Sequence, residues 1–190
     1  MTHRPGGARV PGGKALGWVS SARRFASPNC DARPPGTAVT LGVIHGISLP
    51  PGEFGGPGIA ELFTNRLDPA QHPYYATVAA LRVSSHFLIR RRGELLQFVA
   101  CTDRAWHAGV SHWNGRDGCN DFSIGIELEG TDTRPYTAAQ YLRLARLVRL
   151  LRRHFPLADL AGHSDIAPGR KTDPGPAFDW HRLRGLLRQG

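Results

Sequence analysis

From residue 137 to residue 155 apolar side chains return every three or four positions. Leu144, Leu147, Val148, Leu151 and Phe155 fall on one side of a 3.6-residue repeat, with arginines between them. That period predicts an amphipathic helix, started by a capping box of Thr137 and Gln140 and stopped by Pro156. A period of two governs "SIGIELEG", residues 123–130. Ile124, Ile126 and Leu128 share one face and Gly125, Glu127 and Glu129 the other, which predicts a strand with one apolar side. "AVTLGVIHGI", residues 38–47, is a β-branched apolar run and predicts a buried strand ending close to His45. "SSHFLIRRRGELLQFVA" alternates on both sides of "RRG" and predicts a hairpin. Short helices are expected around 59–67 and 74–81, after the long turn "PPGEFGGPG", and an amphipathic C-terminal helix over 179–187.

Strands mixed with helices, a hairpin and only partial β–α alternation predict an α+β fold: a central mixed β-sheet flanked by α-helices. The chain carries no glycine-rich phosphate loop, which counts against the doubly wound nucleotide-binding alternative. With 190 residues, 41% of them hydrophobic, it can bury one sizeable core. Residues 1–14, rich in Gly and Pro, are expected to be disordered, leaving residues 15–190 as a single domain. No apolar run near the start is long enough for a signal peptide or a membrane span. Cys30, Cys101 and Cys119 are an odd number without CxxC spacing, so no disulfide framework is indicated. Together these predict a cytoplasmic protein with no membrane partner.

The formal net charge of +9 raises the question of an acidic partner. The cations are scattered, without a basic block alternating with aromatic stacking platforms, so nucleic acid is not the expected ligand. Of the 24 Lys and Arg residues only Lys14 and Lys171 are lysines. Where arginine is the default cation, a lysine inside "GHSDIAPGRKTDPG", residues 162–175, suggests a place that wants a compact ammonium. The alternative is an unremarkable surface lysine.

The same Pro- and Gly-stiffened loop holds His163 and Asp173, both able to turn toward one point as a shared cation requires. A catalytic zinc takes three protein ligands and leaves a position for water, so a third donor must come from elsewhere. His45, directly after the apolar strand, is the candidate. The alternatives stay open: His45 as a hydrogen-bonded core histidine, Asp173 as a turn residue before Pro174. Glu127, flanked by apolar residues, must face solvent, pair with a cation or serve a site. Glu129 on the same face offers the reading of a solvated sheet surface.

Further stretches, "GWVSSARRFASPNCDARP", "VIHGISLPPGEFGGPGI", "DPAQHPYY", "RAWHAGVS" and "CNDFSIGIELEGTDT", join that loop in a resemblance covering the chain from Gly17 onward. The chain resembles the cytoplasmic AmpD-type N-acetyl-anhydromuramyl-L-alanine amidases, in a zinc amidase group that includes phage lysozyme amidases and peptidoglycan recognition proteins. The resemblance implies the mixed sheet with flanking helices and one Zn²⁺ per chain held by His45, His163 and Asp173. It also implies a catalytic pair of Glu127 and Lys171. The substrate would be a released anhydro-muramyl-peptide in cell-wall recycling, cut by a monomer between the lactyl carbonyl and L-alanine. The alternatives are an amidase acting on intact peptidoglycan, or a module that binds without cutting. Arg82 matches an arginine the family uses for substrate carboxylates, with a surface cation at a helix end as the alternative, and Trp106 is expected either to offer a platform for the sugar or to belong to the core. His86 and His107 match family histidines with supporting or packing roles. Two positions depart from the family pattern: Gly46 stands where asparagine is common, and Gly118 where a cationic residue often binds substrate. Arg116, two positions before Gly118, is the candidate replacement for that charge.

Overall fold

The computed structural model describes residues 16–189, so the disorder expected of residues 1–14 lies outside the described residues. Its first strands are β1 (Arg23–Arg24), β2 (Cys30–Ala32) and β3 (Leu41–Ile47), followed by helices α1 (Gly58–Phe63) and α2 (Pro73–Val78). Next come β4 (Phe87–Ile89), β5 (Leu95–Gln97), β6 (Asp103–Ala105), β7 (His112–Trp113), β8 (Arg116–Asp117) and, after a 3-10 turn over Cys119–Asp121, β9 (Ser123–Glu129). The last elements are α3 (Ala138–His154), β10 (Asp159–Gly162), α4 (His163–Ile166) and α5 (Trp180–Arg188).

Six strands form one sheet in the order β1-β5-β4-β9-β3-β10. β10, β3, β9 and β4 run parallel to their neighbours, and the β4–β5 hairpin supplies the antiparallel step that makes the sheet mixed. Gly93, at φ +81°, turns that hairpin, as "RRG" predicted. The two central strands are buried along most of their length, which is where parallel pairing is ordinarily found.

Both faces of the sheet are covered. On one, α3 lays Leu144, Leu147, Val148 and Leu151 against Ile44, Ile124, Ile126 and Leu128. Each such side chain contributes about 1.5–3 kcal/mol by leaving water. The capping box forms as the sequence predicts: Gln140 N–H donates to Thr137 Oγ1 at 3.2 Å and Thr137 N–H to Gln140 Oε1 at 3.0 Å. The same Gln140 amide donates to Ile89 O at 3.2 Å and Glu129 O at 2.9 Å, tying the helix start to the ends of β4 and β9. On the other face α1 and α2 pack Ile59, Leu62, Phe63 and Tyr75 against Leu88 and Leu96.

The alternation in 123–130 holds, but its polar face is not solvated: Glu127 is 7% exposed and Glu129 only 1%. Glu129 is covered by the loop after β3, whose Gly55 N–H donates to its carboxylate at 2.6 Å. The stretch read from sequence as turns alone, 162–175, opens instead with one helical turn, capped where Asp165 accepts from Gly162 N–H at 2.7 Å. All three cysteines are free, Cys101 and Cys119 buried. No helix of the described residues is long and apolar enough to cross a membrane.

Candidate metal centre and catalytic cavity

Strand register brings the candidate residues together. β3 pairs with β9 so that His45 stands opposite Glu127, and β10 pairs with β3 so that Gly162 stands opposite Ile44. His163 therefore starts α4 one residue beyond the sheet edge, beside His45. The chain then folds back: Ala167 N–H donates to His163 O at 3.0 Å, Lys171 N–H to Ala167 O at 3.1 Å and Ser164 N–H to Asp173 O at 2.9 Å. This fixed loop returns the Asp173 carboxylate to the two histidines.

The three donors converge. His45 Nδ1 and His163 Nδ1 are 3.0 Å apart, and Asp173 Oδ2 lies 3.2 Å from each. Edges of this length are close to the roughly 3.3 Å expected between ligands of a tetrahedral ion with bonds near 2.0–2.1 Å. His163 Nε2 faces Ala108 O at 3.1 Å; a carbonyl only accepts, so Nε2 carries the proton and Nδ1 presents its lone pair. Burial pushes the His45 imidazole down to about 4, helped by the charges of His163 and Lys171 and opposed by Asp173, so it is neutral at pH 7. Burial alone would raise the Asp173 carboxyl, but the adjoining His163 and His45 imidazoles outweigh it and hold it well below the carboxylate range. Imidazole lone pairs and a carboxylate aimed at one point are the donor set of a divalent cation of the zinc class, and the residues present fit one.

Behind these donors lies a supporting layer. His45 Nε2 is 2.9 Å from His107 Nδ1, and His107 Nε2 is 3.0 Å from Ser123 Oγ. The His107 ring packs directly on Gly125, where a Cβ would stand 2.5 Å from the ring, so the strand needs glycine there. His86 Nδ1 accepts from Gly125 N–H at 3.0 Å; its imidazole is driven down to about 3 by burial, with the Arg33 charge adding. Arg33 is a support the sequence did not reveal. Its guanidinium donates to the carbonyls of Asn120, Asp121, Cys101 and Ser123 at 2.8–3.3 Å. Asn120 Oδ1 in turn accepts from the N–H groups of His107 and Ala108 at 3.1 and 2.8 Å. It falls in "GWVSSARRFASPNCDARP", one of the stretches that carry the resemblance, but no local pattern there marks a buried guanidinium.

The donors sit in the wall of a cavity of about 490 Å³. Glu127, Lys171, Trp106 and His107 also line it, together with Tyr74, Leu81 and Val83, which add apolar surface. Glu127 Oε1 is 4.0 Å from His45 Nδ1. Burial pushes its carboxyl well above the usual range and the Asp173 charge adds to this, while the Lys171 ammonium opposes both. A carboxylate in such a place is a strong base that seeks a proton.

Two expected substrate contacts lie elsewhere. Arg82 is exposed and absent from the cavity wall; its guanidinium folds back over the end of α2, 3.3 Å from Ala80 O. Arg116, on β8, stacks over the Phe122 ring at 3.9 Å and does not line the cavity either. Trp106 does line it. At Gly46 a side chain would run into the Tyr136 hydroxyl, which donates to Pro174 O at 3.0 Å. Gly118 adopts φ +69° at the start of the 3-10 turn, a backbone conformation that a cationic residue adopts only under strain.

Known proteins resemble this chain in sequence and fold. The family described as N-acetylmuramoyl-L-alanine amidase matches residues 35–176. The 1,6-anhydro-N-acetylmuramyl-L-alanine amidase AmpD of Escherichia coli K12 is 60% identical over 173 residues, covering 90% of this chain and 94% of that protein. A crystal structure of a selenomethionine AmpD derivative superposes with a TM-score of 0.89 at 58% identity, covering 90% of this chain and 97% of the other. The E. coli amidase AmiD, in complex with the substrate anhydro-N-acetylmuramic acid-L-Ala-D-gamma-Glu-L-Lys, superposes at 0.58 with 28% identity, over 85% of this chain and 58% of AmiD.

Proposed function

Since the chain belongs to the N-acetylmuramoyl-L-alanine amidase family, we propose that it hydrolyses the amide between the lactyl carbonyl of 1,6-anhydro-N-acetylmuramic acid and the L-alanine of a released stem peptide. The observation that carries this reading is the meeting of His45, His163 and Asp173 beside Glu127 and Lys171 in one cavity. We assign the three donors to one zinc ion per chain. Bound there, zinc would supply Lewis acidity that polarises the amide carbonyl and makes water a better nucleophile at neutral pH. All five groups come from one chain, so a monomer suffices.

The chain's own residues then divide the proton work. Glu127 takes a proton from the attacking water and returns it to the amide nitrogen as the C–N bond breaks, so that alanine leaves as an amine. The buried setting that raises its proton affinity suits both halves of that task. Lys171 presents its ammonium to the carbonyl oxygen as negative charge grows there. His107 holds the His45 ring so that Nδ1 faces the donor cluster. Trp106 offers an aromatic surface for the sugar, and about 490 Å³ is an ordinary volume for a site of this kind. Free thiols, two of them buried, fit a reducing compartment, and we place the reaction in the cytoplasm.

The test offers the purified protein anhydro-muramyl-tripeptide and intact sacculi in parallel, with released peptide measured by mass. Cleavage of the soluble compound, lost with chelator and restored by Zn²⁺, is expected. Equal or faster solubilisation of sacculi would assign the enzyme to the intact wall instead, and tight binding without turnover would make it a recognition module.

A further inference from the structure

A second cavity, of about 540 Å³, lies across the 50–56 loop from the first: Pro51 and Gly52 face the catalytic side, Phe54 and Gly55 the other. Its walls carry Arg23, Arg90, Arg91 and Arg92, with Glu94 and Glu129 as the acidic residues and the rings of Phe25 and Phe54 between them. We propose that this cavity binds a small phosphate-bearing molecule of the sugar-phosphate class.

The charge there is in excess, and two of its cations, Arg90 and Arg91, are held in place. The buried Glu129 carboxylate is already engaged, accepting from Gly55 N–H at 2.6 Å and Arg91 N–H at 3.2 Å and pairing with Arg90 at 3.6 Å. Glu94 is shared between Arg23 at 3.8 Å and Arg90 at 3.7 Å, both beyond hydrogen-bond length. The Arg91 guanidinium spends its hydrogen bonds on neutral acceptors, Pro135 O at 2.8 Å and Gln140 Oε1 at 3.3 Å, and stacks 5.0 Å from the centre of the Phe54 ring. Arg90 is steadied by Gly56 O at 2.9 Å. Arg92 makes no hydrogen bond or ion pair among the described residues, so its full set of donors is available. Four guanidinium groups against two committed carboxylates leave a positive pocket in which Arg90 and Arg91 are ordered before any ligand arrives. Arginine forks match phosphate oxygens in pairs, which favours this dianion over a single carboxylate. The space exceeds what a bare phosphate fills, leaving room for a sugar beside Phe25 and Phe54, whose rings already lie under Arg23, Arg91 and Arg134.

The experiment follows backbone amide shifts of the zinc-loaded full chain by NMR during titration with glucose 6-phosphate, inorganic phosphate and glucose. Saturable shifts at Gly55, Arg91, Arg92 and Gly93 are expected with glucose 6-phosphate, weaker binding at the same amides with phosphate, and none with glucose. The exposed pair Arg23→Gln and Arg92→Gln, together, is expected to raise the Kd at least tenfold while muropeptide hydrolysis stays unchanged. The proposal is overturned by shifts confined to the catalytic cavity, by an equal response to glucose, by phosphate binding as tightly as the sugar phosphate, or by an unaltered Kd in the double variant.

Discussion

Glu127→Gln is expected to keep its zinc and its fold and to lose at least about a hundredfold in kcat, the usual scale for removing a general base. The substitution changes one atom's charge and almost none of the shape. Glu127 sits opposite His45 across the β3–β9 ladder, 7% exposed, so the amide occupies the same slot and the strand register is untouched. What disappears is the ability to accept a proton from water and return it to the leaving nitrogen. Because a buried carboxylate is costly to keep ionised, the variant is expected to melt at or above the wild-type temperature. KM should change little, since the carboxylate contributes to the transition state rather than to uniform binding. Steady-state kinetics with metal analysis on the same sample checks this, and turnover within tenfold of wild type removes Glu127 from the proton-transfer role.

Lys171→Arg is expected to lower kcat by about a hundredfold to a thousandfold, the range seen when a donor to a developing oxyanion is lost. The change keeps the positive charge, so a residue needed only for charge would tolerate it. Lys171 enters the cavity wall from a loop whose backbone is fixed on both sides, by Lys171 N–H on Ala167 O and Ser164 N–H on Asp173 O. With the backbone held, a guanidinium cannot retreat, and its planar fork places nitrogens where a compact ammonium would not. The side chain is exposed to the cavity, so stability and metal content should be unaffected. Wild-type turnover in this variant would reduce Lys171 to a general contributor of charge.

Much of this framework was legible in the chain. The helix over Ala138–His154 announces itself by period, cap and stop signal, because an amphipathic helix is specified by residues close in sequence. The strands around His45 and Glu127 were readable as strands. Their pairing was not, since parallel register depends on crossovers that no local pattern encodes. The same limit explains Glu129: alternation identifies a polar face, but the loop that buries it arrives from residues 50–56. Arg82 and Arg116 were sound as residue types near the right segments, yet their side chains found nearer partners, the carbonyls ending α2 and the Phe122 ring. Arg33 and Asn120 left no local signal at all, because their work is to satisfy and fix backbone groups far along the chain.

The most direct measurement is anomalous diffraction at the zinc edge from crystals of the zinc-loaded protein. One peak is expected per chain, within about 2.0–2.2 Å of His45 Nδ1, His163 Nδ1 and an Asp173 carboxylate oxygen. An active, fully loaded enzyme whose zinc lies away from these three atoms, or whose turnover survives with no zinc present, would contradict the metal centre assigned here.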